Sequence, residues 1–397
     1  MSGFITQQEF KEIRMPTDKC NKCGEKRELQ FHNYEINIEG RKIKAEDLPQ
    51  LVCKGCKYAV LTFKSRFIIN SMFESCVESG KLGVNLKLRS LTKRFNFCEK
   101  FDFHYDFRDY ENIPGLGEMT HDGFLTPVFF DKKSLIYFMY NPDYEFSLGS
   151  ETYGSISYRG EFTISFGINE NNRVIMWLGD LDKLTDEALQ ILKIHNVSSD
   201  HILMDTEFYD AQLNAIWSEP ILEIQIVNLR NKFYDKLKTE FSLDLNQLDE
   251  EVVELISSIK KPLMYSEDEV KSTVSALHQI LVEAVKIGEL KTYYEANVED
   301  SIKEKNYKEW KSIKYYEYLL STLTDEQDIK TVIGPLYLLN DLRIMYSHLL
   351  PNEDIEKKKI NIMKSLSLTE YNLEEVYKKV LIGLKYLFEV LNKGKDS

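Results

Sequence analysis

The sequence predicts a multidomain α+β protein: a small cysteine-bearing module over residues 1–60, a β-rich α+β middle domain over 61–225, and an all-helical domain over 226–397. Three observations lead there. The chain has 397 residues, more than the roughly 100 to 200 of one ordinary domain. Four of its six cysteines fall in the polar first 60 residues. Beyond these, a stretch rich in Phe, Tyr, Ile and Val and broken by turn signals gives way near residue 226 to Lys/Glu/Leu-rich segments with apolar residues three and four apart.

The first module carries a strand at Phe31 to Ile38, where Tyr34, Ile36 and Ile38 alternate with Glu35, Asn37 and Glu39. Gly40-Arg41 reads as the turn of a hairpin running on to Val52. The module is too small for a core of its own. In the middle domain the turn signals are Ile113-Pro-Gly-Leu-Gly117, Asn141-Pro-Asp143 and Asn169-Glu-Asn-Asn172. Between them, Phe162, Ile164 and Phe166 share one strand face, and Arg173 to Trp177 offers a hairpin partner. A helix is expected at Thr185 to Ile194. In the last third, Ser266-Glu-Asp-Glu269 is a capping-box signature opening a helix to Gly288, with Val270, Val274, Leu277, Leu281 and Val285 as its stripe. Asn372 and Glu375 open another to Lys393, with Val376, Val380, Leu384, Leu387 and Leu391 as its stripe.

Composition excludes several classes. With 43% hydrophobic residues the chain has material for buried cores. Its longest apolar runs fall far short of the roughly 18 residues that span a bilayer, and Glu9, Lys11, Glu12 and Arg14 interrupt any leader-like apolar core, so a cytoplasmic protein without membrane association is expected. There is no Walker loop, no GxGxxG and no GxSxG. The net charge of −13 divides unevenly. Residues 1–100 hold 19 Lys/Arg against 12 Asp/Glu, a net of +7, which leaves 32 against 52, or −20, for the rest. A polyanion would therefore dock on the first quarter, with Lys87, Arg89, Lys93 and Arg94 as candidate phosphate contacts; the other reading is a solvated face that offsets the acidic remainder.

Cys20-Asn-Lys-Cys23 and Cys53-Lys-Gly-Cys56 are two Cys-x-x-Cys pairs separated by 29 residues. Four thiolates supply the soft tetrahedral shell that Zn2+ prefers, and Gly24 and Gly55 permit the tight turns that aim two sulfurs at one ion. Cys20, Cys23, Cys53 and Cys56 are thus a candidate zinc ribbon, similar to those of some bacterial antitoxins and nucleic-acid-associated proteins, and with no open coordination position the Zn2+ is structural. Cys76 and Cys98 read as buried small hydrophobes. His104, His121, His195 and His201 read as packing or surface residues. The acids Asp180, Asp182, Asp200, Asp205, Glu207 and Asp210 show no metal-ligand spacing and read as a solvated edge.

The segment Leu336-Tyr-Leu-Leu-Asn-Asp-Leu-Arg-Ile-Met-Tyr-Ser-His348 sets Arg343 five residues before His348 in a helical pattern. Here the sequence resembles the HEPN domain, a helical bundle with an Arg followed four to six residues later by a His. The resemblance covers residues 226–397 and implies a metal-independent endoribonuclease, active as a homodimer, leaving 2′,3′-cyclic phosphate ends on RNA. It also implies a toxin or antiviral defence role with a phage or host protein trigger. In that chemistry a group near neutral pKa moves protons and a fixed cation stabilises the phosphorane, which suits His348 and Arg343. Five residues along an α-helix turn the two side chains about 140° apart, and a second subunit brings the pairs into one cleft. Ile344 follows the arginine where the family carries a polar residue; Asn340 or Asp341 would then supply the polar contact, with Asp341 placed to orient His348. Two alternatives stand beside this. One is that His348 caps a helix end while Arg343 pairs with an acid; the other is a non-enzymatic zinc-ribbon module that binds nucleic acid or protein and dimerises through its bundle.

Overall fold

The computed structural model describes residues 16–88, 93–117, 122–247 and 250–394. Arg89 and His121 lie outside the described residues. The chain forms two compact units, Met1–Glu219 and Pro220–Ser397, with β-sheets in the first and helices in the second.

The first unit begins with a long hairpin, β1 (Arg27–Ile38) and β2 (Arg41–Cys53), paired from Arg27 opposite Cys53 to Ile38 opposite Arg41 with one register shift between His32 and Tyr34. The chain reverses at Glu39-Gly40, one residue earlier than the expected turn, because Arg41 already pairs with Ile38. Both turn residues take positive φ, 50° and 78°, as a two-residue hairpin turn matching the strand twist requires. β3 (Ala59–Leu61) pairs antiparallel with β2, and β4 (Gly83–Lys87) pairs parallel with it. Between them α1 (Phe63–Glu78) starts at Thr62, whose hydroxyl accepts from the Ser65 amide at 3.0 Å. Its Ile69 and Met72 pack with Ile36, Ile38, Ile43, Leu48 and Leu61. The cysteine-bearing module thus shares its core with α1 rather than forming one by itself. The alternating apolar positions of the hairpin's far half find their cover in α1, beyond residue 60. At about 1.5 to 3 kcal/mol for each fully buried Ile or Leu, this cluster holds the sheet together.

A second, fully antiparallel sheet of six strands follows in the order β10 (Asn196–Val197), β5 (Pro127–Asp131), β9 (Arg173–Trp177), β8 (Phe162–Ile168), β7 (Tyr153–Tyr158) and β6 (Tyr144–Leu148). Central β5 and β9 are buried on both faces, so Val128, Phe129 and Phe130, and Val174 to Trp177, read as continuous apolar runs. The expected β8–β9 hairpin is present, with Gly167 opposite Ile175. Helices α3 (Ser134–Tyr140), α5 (Asp186–His195) and α6 (Glu207–Leu213) pack on this sheet, α5 opens at Thr185 as expected, and α2 (Phe107–Asn112) and α4 (Leu178–Leu181) are short. At Gly167 a Cβ would meet Phe208 Cβ at 2.3 Å, and only glycine lets that ring reach Trp177, 4.6 Å away between centroids.

The second unit comprises α7 (Leu222–Phe241), α8 (Glu250–Ser258), α9 (Glu267–His278), α10 (Ile287–Asn297), α11 (Ser312–Leu323), α12 (Ile329–Ser347), α13 (Asn352–Leu366) and α14 (Leu373–Lys393). The capping box at Ser266 and Glu269 forms, and Asn372 caps α14 by accepting from the Glu375 amide at 3.0 Å. Both predicted stripes are buried. One helix to Gly288 was expected from Ser266; instead α9 ends at His278 in a π turn, Gln279–Glu283, closed by the Ala284 amide on the Gln279 carbonyl at 2.8 Å. Val285 then forms a β-bridge with Asn246, so the backbone there is spent on tertiary pairing. α12 packs on α9, α11 and α14. No helix among the described residues is long and apolar enough to cross a membrane.

Candidate functional site

The hairpin register brings the two cysteine pairs together. Arg27, just past the first pair, sits opposite Cys53, and the backbone bonds Lys54 N to Lys26 O (2.9 Å) and Arg27 N to Asp18 O (2.8 Å) extend the ladder through both knuckles. Each knuckle is a tight turn: Gly24 N donates to Cys20 O at 2.9 Å and Lys57 N to Cys53 O at 3.1 Å. Gly24 takes φ +82°, as expected of the turn. In the second knuckle that conformation falls on Lys57, φ +59°, not on Gly55. Gly55 is needed for space, since a Cβ there would meet Glu25 Cγ at 2.9 Å.

The four sulfurs lie within 4.8 Å of one another, with Cys20 and Cys56 3.7 Å apart and Cys23 and Cys53 3.4 Å apart. A tetrahedral ion with metal–sulfur bonds near 2.3 Å sets its ligands about 3.8 Å apart, so the set fits a metal centre of the zinc-ribbon type. The amides of Lys22 and Cys56 each donate to a sulfur, of Cys20 and Cys53, at 3.4 Å, which stabilises thiolates. Burial pushes the Cys20 thiol up, but amides of Lys22 and Cys23 outweigh it and bring it to about 6. Cys56 goes the other way: the Tyr58 amide pulls it down, yet burial and the three neighbouring sulfurs push it up to about 11. Such a set ionises fully only when a cation neutralises it. Among the described residues this is the one group of three or more His, Cys, Asp or Glu close enough for a metal.

The acids read from sequence as a solvated edge are individually engaged. Lys26 beside the first knuckle bonds Asp18 at 2.7 Å and Asp210 at 2.5 Å, and Lys54 in the second bonds Asp205 at 2.6 Å and Glu170 at 2.9 Å. Glu207 accepts from the Ser150 hydroxyl and the Thr152 amide at 2.6 and 2.7 Å, and Asp182 from the Cys98 amide at 2.9 Å. Cys76 and Cys98 are buried. The basic candidates also have acid partners: Lys87 Nζ is 3.8 Å from Glu46, Lys93 2.6 Å from Asp122, and Arg94 2.9 Å from Asp102. Lys87 is the most exposed of the three.

In the helical unit, α12 ends at Ser347 and His348 takes the cap position in extended backbone, exposed, three residues before Pro351 starts the next helix. Arg343 is half-buried on α12, its Nη2 3.1 Å from Glu283 Oε1. Asp341 bonds Lys358 at 2.5 Å. Asn340 Oδ1 meets Nε2 of His278, a buried ring, at 3.1 Å, and Nδ1 of that ring lies 3.1 Å from Glu283 Oε1. Sequence reasoning missed His278 and Glu283. They stand 62 and 60 residues from Asn340 and Arg343 in sequence, and nothing in the local pattern marks the π turn that presents them. Compared with known proteins, the chain matches no family model, and no curated protein or solved structure matches it.

Proposed function

We propose that this chain is a metal-independent endoribonuclease of the HEPN type, cutting RNA with Arg343 and His348 and holding a structural Zn2+ on Cys20, Cys23, Cys53 and Cys56. The observation that carries the reading is the setting of the pair: an exposed histidine at the free end of a helix in an all-helical unit, with a half-buried arginine just over one turn before it. The imidazole can accept the 2′-hydroxyl proton, and the guanidinium can stabilise the charge on the phosphorane as the 5′-oxygen leaves. Two copies are needed to place both groups in one cleft, and the fully exposed Leu349 beside His348 offers apolar surface for the second copy to cover. Asn340 supplies the polar contact that Ile344 does not. The family resemblance gives the biological setting, a cytoplasmic bacterial defence or toxin system in which the zinc-ribbon unit answers a phage or host protein trigger. The all-thiolate tetrahedral donor set suits Zn2+. The test is cleavage of RNA by the full chain in EDTA, with end-group analysis. Cyclic 2′,3′-phosphate ends support the reading, whereas 3′-hydroxyl ends point to a metal nuclease.

A second reading has its own observation. Glu283 already neutralises Arg343 and Lys358 occupies Asp341, which suits a non-enzymatic module that binds nucleic acid or protein and dimerises through its helices. RNA binding without cleavage in the presence of the trigger selects it.

A further inference from the structure

His278 closes α9, and the π turn after it decides what its ring can meet. In an α-helix, residues five apart point about 140° away from each other. The wider i→i+5 turn brings them to one side, which is how Glu283 reaches His278. The ring is only 3% exposed. Its Nε2 is 3.1 Å from Asn340 Oδ1, in hydrogen-bonding geometry. Its Nδ1 is equally close to Glu283 Oε1 but is not aligned for a hydrogen bond, and is left as a buried nitrogen without one. The same Oε1 lies 3.1 Å from Arg343 Nη2. Asn340 and Arg343 are three apart on α12 and share a face. One imidazole and one carboxylate oxygen therefore join two residues of the proposed site.

A neutral imidazole has one N–H for the two acceptors it faces. With that proton on Nε2 for Asn340, the bare Nδ1 opposes a carboxylate; a second proton would satisfy both. Burial pushes this ring below the usual histidine range, with Glu283 pulling it up and Arg343 pushing it down. These two are the charged groups that face it, from the π turn and from α12.

We propose that His278 is a positioning residue for the Arg343 site: it holds Asn340, and through the shared Glu283 carboxylate it governs how much of the Arg343 charge is free to meet a phosphate. This rests on the ribonuclease reading above. An anion bound at Arg343 draws the guanidinium away from Glu283, the freed carboxylate turns to His278 Nδ1, and the ring takes one proton from solvent. Anion binding and proton uptake are then reciprocal.

Sulfate, which does not titrate near neutral pH, is the probe, followed by isothermal titration calorimetry of the full chain in two buffers of different ionisation enthalpy. Expected are sulfate binding that strengthens as pH falls, by up to about tenfold per unit, with uptake of close to one proton. Arg343→Ala should remove binding. His278→Gln, which keeps a hydrogen-bonding side chain, should retain binding but lose the uptake and the pH dependence, and Glu283→Gln, at a half-exposed position, should do the same. Proton uptake unchanged in both variants, or no Arg343-dependent sulfate binding, overturns the proposal. The ribonuclease reading fails separately: a wild-type chain that cuts no RNA yet shows His278-dependent uptake contradicts that reading and leaves the linkage standing. Arg343-dependent RNA cleavage with an indifferent His278 does the reverse.

Discussion

Asp109, wholly buried, accepts a 2.6 Å hydrogen bond from His201 Nδ1 across 92 residues of sequence. Its other oxygen has no hydrogen-bond partner, and the His201 ring is also held by the Ser199 hydroxyl, 3.4 Å from Nδ1, and by Phe31, 4.8 Å away between centroids. Burial pushes the Asp109 carboxyl up, and the His201 cation is what favours its ionised form. Burial likewise pushes the His201 ring down, but the Asp109 hydrogen bond and charge outweigh it and hold the ring above its usual value.

His201→Ala should therefore cost about 3 kcal/mol or more, because it strands a buried carboxyl rather than merely removing a surface ring. The sign with pH follows from the raised histidine. Its contribution is complete below the ordinary histidine value near 6.5 and is lost as pH rises through the higher folded value. Urea titrations of wild type and variant at several pH values measure both effects; curves that differ by a constant at every pH would contradict the assignment.

Zinc content is the next expectation. Protein kept reduced should carry about one Zn2+ per chain. Cys53→Ser should release the ion and loosen the knuckle end of the β1–β2 hairpin, while the helical unit keeps its far-UV circular dichroism. Because Lys26 and Lys54 tie the knuckles to Asp210 and Asp205, proteolytic nicking near α6 should rise as well. Metal analysis that finds no ion removes this part of the account.

Gly383→Ala tests the helical packing. A Cβ there would meet Pro335 Cγ at 2.4 Å, where α14 passes the ring inside α12. Overpacking of this kind costs roughly 1 to 3 kcal/mol, against roughly 0.8 to 1 kcal/mol gained from helix propensity, so the melting temperature should fall. A neutral or stabilising effect would mean the helices can part without loss.

Charge reversal separates the exposed lysine from the paired ones. Lys87→Glu should weaken RNA binding and lower the slope of log affinity against log salt by about one, since one fewer counterion is released. Lys93→Glu should act mainly on stability, because its charge is engaged by Asp122. Equal effects of the two on RNA affinity would return the basic stretch to the role of one continuous docking face.

What the sequence made legible was local. Alternation gave the β1–β2 hairpin, the Ser266 and Asn372 caps gave two helix starts, and the paired cysteines announced a site whose ligands are joined by a single hairpin. What escaped depends on tertiary placement. The π turn cannot be seen in a stripe that continues through it, since Leu281 and Val285 are buried either way. His278 faces Asn340 only after α9 and α12 pack, and His201 meets Asp109 only once the loop after β10 folds back. Gly55 was assigned to backbone freedom, and its true constraint, the Glu25 side chain, lies on the opposite knuckle.

Arg343 and His348 are proposed to cut RNA, and the cleavage rate of His348→Ala and Arg343→Ala beside wild type, in EDTA with the trigger supplied, tests this. Loss of about a hundredfold or more in each variant is predicted, with folding and dimerisation unchanged by circular dichroism and sedimentation. The His348 side chain is exposed at a helix cap and its removal opens no cavity, so loss of cleavage in His348→Ala does not come from a folding defect. Cleavage that persists in both variants, or a wild type that cuts nothing, contradicts the account.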